Sequence, residues 1–150
     1  MTLAGSIRDA LYNDWSLTGD LDKANIAFPE KDWYDLDYAG QPQITVTKLT
    51  EPVHKFFFST TGGTLIAHTY PRFVVNCWLH ISEGSDGTNE SQQIEDLVDE
   101  VFRIILAERD NIADLRPVVP VDSGTFRGKV EPKEPSLLRY EITLIGAHDA

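Results

Sequence analysis

The 150-residue chain has one cysteine, Cys77, which excludes an internal disulfide and fits a reducing compartment. Basic residues are also scarce: 13 Lys and Arg stand against 24 Asp and Glu, for a net charge of -11. Nucleic-acid-binding surfaces need a cationic footprint to displace counterions from phosphates, so no specific nucleic-acid binding is expected. No apolar run approaches the roughly eighteen residues of a membrane span. The N-terminal MTLAGSIRDALYNDW has no basic region followed by an apolar core, so a soluble, unprocessed protein with no membrane contact is expected. Catalytic signatures are missing too. There is no G-x-S-x-G or H-E-x-x-H, and His54, His68, His80 and His148 are scattered. Gly62-Gly63 is too short to cradle a phosphate and reads as a turn. The expectation is a protein that is not an enzyme and holds no cofactor or metal.

What is present is a strongly patterned middle. In RFVVNCWLHI, Phe73, Val75, Cys77, Leu79 and Ile81 share one parity, which in an extended segment puts them on one face against a core. The other parity, Val74, Asn76, Trp78 and His80, suits a second contact layer or a partner. Cys77 and His80 therefore point in opposite directions, and two ligands fall short of the three or four that zinc takes. Cys77 reads as a small buried thiol. After a polar turn at 84–88, Asn89 is the expected N-cap with Gln92 as its box partner. Ile94, Leu97, Val98, Val101, Phe102 and Ile105 then form one helical stripe. Glu90, Glu95, Asp96, Asp99 and Glu100 crowd the helix's first half, with Arg103 and Arg109 beyond, as the helix dipole favours. These acids are expected on a solvated face.

Around that unit, Ser6 to Leu17 is a first helical segment with Ser6 as a possible cap. Residues 18–42 have no sustained period and read as a long loop carrying Phe28, Trp33, Tyr34 and Tyr38. Its aromatic content favours docking, either onto the body of the domain or onto a neighbouring subunit. Asp32, Asp35 and Asp37 lack the ligand spacing and glycine of a calcium loop. QITVTKL is a half-buried strand, HKFFFSTT a second apolar run, and Pro71 marks a bend or an edge. Residues 115–135 hold four prolines and read as an irregular or edge arm. In LLRYEITLI, Leu138, Tyr140, Ile142 and Leu144 face inward, and Arg139, Glu141 and Thr143 outward. The expected fold is a single α+β domain over residues 1–150, a mostly antiparallel sheet packed against an N-terminal helix and one long amphipathic helix.

A short N-terminal helix, PQITVTKLTEP, the long strand RFVVNCWLHI, the helix IEDLVDEVFRIIL and the closing RYEITLIG together resemble the tail terminator and tail-completion proteins of long-tailed phages and archaeal tailed viruses. The resemblance covers most of residues 1 to 148 and rests on element order, size and these hydrophobic phrases. It implies a structural virion protein of the tail and neck, made in the host cytoplasm. Such a protein forms a homo-oligomeric ring, typically of six subunits, that caps the tail tube protein and joins it to the neck or connector protein. Another neck component, such as a head-completion or adaptor protein, is the alternative, ahead of a small cellular enzyme or oligomeric adaptor. A ring needs two different contact patches on every subunit. Trp33, Tyr34 and Tyr38 of the loop and Phe126 and Arg127 of the arm are the candidates, because interface cores are rich in aromatics and arginine. The other reading is that these aromatics cover their own domain. An acidic lumen would repel DNA passing through it and lessen sticking.

Overall fold

A computed structural model of the chain describes residues 2–29, 41–50, 53–58, 65–81, 88–115, 117–129 and 136–149. Its elements are helices α1 (Leu3–Asn13) and α2 (Thr88–Glu108), and strands β1 (Gln43–Thr50), β2 (Val53–Phe58), β3 (Leu65–Thr69), β4 (Arg72–His80), β5 (Val118–Lys129), β6 (Ser136–Gly146) and β7 (His148–Asp149). The fold is α+β. β1, β4, β6 and β5 lie side by side in that order, and β2, β3 and β7 form a smaller sheet. Every strand pair in the two sheets is antiparallel. Pro71 sits between β3 and β4, where the chain passes from one sheet to the other, and its carbonyl accepts from Gly146 N at 2.9 Å.

Register explains the core. Directly opposed residues in an antiparallel pair share a face, so the alternation in each strand aligns across the sheet. Ile44, Cys77 and Tyr140 form one row, Val46, Val75 and Ile142 the next, and Phe73 pairs with Leu144 and Leu79 with Leu138. All but the half-buried Tyr140 are buried. Both helices cover this face. α1 brings Ile7 and Leu11, and α2 brings Ile94, Leu97, Val98, Val101, Ile104 and Ile105 into the same core. Within the stripe, Ile104 takes a fully buried place while Phe102 is only half-buried.

Several expectations change. α1 begins at Leu3, because Thr2 rather than Ser6 is its cap and its Oγ1 accepts from Gly5 N at 2.9 Å. Ser6 is a buried helical residue whose hydroxyl reaches the Thr2 carbonyl at 3.3 Å. The helix stops at Asn13, and Trp15 turns back so that its Nε1 donates to the Leu21 carbonyl at 2.8 Å. α2 begins at Thr88, which puts Asn89 inside its first turn instead of at the cap. Residues 18–29 of the expected loop pack against the domain. They make 3-10 turns at Gly19–Leu21 and Lys23–Asn25 and bury Leu21, Ile26, Ala27 and Phe28. Gly19 starts the first turn with φ 69°, a value that suits glycine because it lacks Cβ. Phe28 packs edge-on against Tyr12 and Trp15, so this aromatic docks on its own domain.

The arm at 115–135, expected as irregular or edge structure, is an edge strand over most of its described length. Residues Val118–Lys129 form a twelve-residue strand at the sheet's edge. Its prolines do not prevent this, for a geometric reason. Val118 N donates to the Arg109 carbonyl at 2.9 Å, away from β6, and the alternation of a strand gives Pro120 the same outward orientation. Pro120 therefore has no ladder bond to lose. Between Pro120 and Asp122 the register shifts, and Val121 is the extra, half-exposed residue of a bulge.

Candidate interaction surface

Of the five residues expected at an interface, Trp33, Tyr34 and Tyr38 lie outside the described residues. Phe126 and Arg127 lie in β5, paired with Arg139 and Leu138 of β6. They are thus on the edge strand of the main sheet, with no strand beyond it among the described residues. The outward parity carries through the bulge. Val118 and Pro120 oppose Gly146 and Leu144, and Ser123, Thr125, Arg127 and Lys129 oppose Ile142, Tyr140, Leu138 and Ser136, so the even-numbered β6 residues stay opposite the outward set. The backbone N–H and C=O groups of Ser123, Thr125 and Arg127, and with them Lys129, consequently point away from β6.

The second face of the main sheet is buried at its centre rather than wet. Gln43, Thr45, Val74, Asn76 and Trp78 are all buried there. Trp78 Nε1 donates to Thr45 Oγ1 at 2.9 Å, and the Arg139 guanidinium lies 5.3 Å from the Trp78 ring centre. Arg139 and Glu141, expected on a wet face, are about two-thirds covered, with their charged ends 3.9 Å apart. Asn76 is paired in register with Thr45 and Glu141, and its buried Oδ1 has no hydrogen-bond partner. This face is a polar contact layer, as the mixed parity of β4 implied.

A further polar contact ties the segment after α1 to α2. The Glu100 side chain is 3% exposed. Its Oε2 accepts from Ser16 N at 2.6 Å and Ser16 Oγ at 2.8 Å, and its Oε1 from Arg103 Nε at 2.6 Å. Arg103 also donates to the Asp14 carbonyl at 2.8 Å. Burial acts to raise the Glu100 carboxyl, but the hydrogen bonds from Arg103 and Ser16 and the nearby guanidinium charge outweigh it and hold the group below the usual carboxylate range. The expectation that the α2 acids line a solvated face is therefore wrong for Glu100, and also for Glu90, which is buried in the first helical turn. Glu95 and Asp99 are exposed.

Among the described residues, chemistry-bearing side chains do not converge. Among the described residues no three His, Cys, Asp or Glu are placed to hold a metal ion, and no helix is long and apolar enough to cross a membrane. His148 Nδ1 contacts the Asp114 carbonyl at 2.8 Å, while His80 closes β4 on the second face. Cys77 is fully buried, and burial pushes its thiol up to about 12. Because the thiolate is the reactive form, a thiol reagent at neutral pH is expected to leave native Cys77 unmodified and to react once the protein is unfolded. Prompt labelling of native protein would contradict this placement. A scan of protein-family models finds no match to the chain, and a search of curated proteins finds none either.

Proposed function

We propose that the protein is a structural component of a virus tail, a terminator that assembles as a ring on the last layer of the tail tube and joins it to the neck. One observation carries the reading. The phrases that bear the resemblance fold as one contiguous unit: PQITVTKLTEP supplies β1, RFVVNCWLHI supplies β4 and RYEITLIG supplies β6, three neighbouring strands, while IEDLVDEVFRIIL supplies α2 packed across them. One feature of the fold supports an assembly role. A long edge strand offers backbone groups to a neighbour. The net charge of -11 suits a lumen through which DNA passes without sticking. Tail tubes growing in vitro provide the test. Adding the protein is expected to halt elongation and cap the ends, with cap mass scaling as a whole number of subunits. Tubes that lengthen unchanged in its presence would overturn the reading.

A further inference from the structure

Among the described residues the outer edge of β5 is long and, past its first third, has no strand, proline or bulge to guard it. Edge strands are ordinarily blunted by shortness, proline or bulges, because their unpaired backbone groups template pairing with another chain. Here the Arg109 carbonyl, Pro120 and the bulge at Val121 guard only the start of the strand. From Ser123 to Lys129 there is no proline, and two glycines occur, Gly124 and Gly128. A glycine inside a strand often marks a place where another backbone comes close.

We infer that two copies of the chain pair through their β5 edges, antiparallel, about a two-fold axis at Phe126. The sequence of the edge selects this register. The outward backbone positions Ser123, Thr125, Arg127 and Lys129 are centred on residue 126, so a two-fold there sets Ser123 against Lys129 of the second copy and Thr125 against Arg127. All four outward residues then exchange backbone bonds. Gly124 falls opposite Gly128 at a non-hydrogen-bonded position, where strands approach most closely. No like charges oppose one another directly, which would destabilise the pair. Segment 122–129 holds Arg127 and Lys129 against Asp122, one net positive charge within a chain of net charge -11. A cationic strip is where two strongly acidic bodies meet with least repulsion. The pairing concerns the free chain and goes beyond the ring reading. In a ring with only rotational symmetry no residue meets its own copy, so the two associations are told apart by whether position 126 contacts itself.

Two variants test it. Opposed non-hydrogen-bonded residues have Cα atoms about 4.5 Å apart, within the roughly 4.4–6.8 Å that a disulfide spans. Under mild oxidation Phe126→Cys is expected to convert to covalent dimer, and Thr125→Cys to remain largely uncrosslinked. Thr125→Pro removes an outward N–H without touching the ladder to β6. By light scattering its mass is expected to fall from twice the 16.8 kDa chain mass to one, with circular dichroism and melting unchanged and Thr125→Ala still dimeric. A monomeric wild type, a Phe126→Cys variant that crosslinks no faster than Thr125→Cys, or a folded Thr125→Pro that still dimerises would each overturn the inference. Should Thr125→Pro misfold, the crosslinking comparison decides alone.

Discussion

Replacing Leu144 by alanine is expected to lower the unfolding free energy by about 2 to 5 kcal/mol, the usual cost of removing a buried leucine and leaving a cavity. Leu144 is fully buried and opposed in register to Phe73, the largest fully buried side chain, so the space left behind is bounded by a strand that cannot collapse without breaking its ladder. A typical domain has only about 5 to 15 kcal/mol to lose. Glu141→Ala is the paired control. Glu141 lies on the opposite face of β6, a third exposed and only loosely paired with Arg139 at 3.9 Å, and its loss is expected to cost at most about 1 kcal/mol. Urea melts of the two variants should show midpoints far apart at similar slope. Equal destabilisation would refute the assignment of faces.

Glu100→Ala is expected to cost roughly 1.5 to 3 kcal/mol, the range for hydrogen bonds to a charged partner. The change leaves Ser16 N–H and its hydroxyl without their acceptor and frees Arg103 from its carboxylate. The pH dependence has a definite sign. The carboxyl is held below its ordinary value in the folded state, so its contribution is fully present above the unfolded value of about 4.3. It is lost as pH falls through the lower folded value. Melts of wild type and Glu100→Ala should therefore differ most at neutral pH and converge in acid. A difference independent of pH would mean that the carboxylate's charge is not what holds α2 to the segment after α1.

The strands that alternate cleanly were legible because parity is a local property. Phe73, Val75, Cys77 and Leu79, and Leu138, Ile142 and Leu144, needed no tertiary information to be assigned inward, and their cross-strand pairing respects that shared parity. Glu100 was not legible, since its acceptors are filled from Ser16, 84 residues away in sequence, and an isolated helix pattern shows only another acid. The β5 strand was obscured by the prolines of the 115–135 segment. Pro120 looks like a breaker until the direction of the Val118 N–H shows that its missing donor faces outward. The start of α1 was misplaced because Thr2 and Ser6 are both competent caps, and only the Gly5 bond to Thr2 separates them. Of the candidate interface, Phe126 and Arg127 lie on an edge strand, a position the prolines of the arm pointed to and their own residue types could not supply. Trp78 was read as part of a mixed second face, and its bond to Thr45 and its contact with Arg139 depend on the register of three strands.

The most direct measurement of the central claim is electron microscopy of the protein mixed with tail tubes. A closed ring, typically of six subunits, is expected, seated on tube ends and absent from tube sides. Tube ends that stay bare at saturating protein, with the chain remaining free in solution, would contradict it.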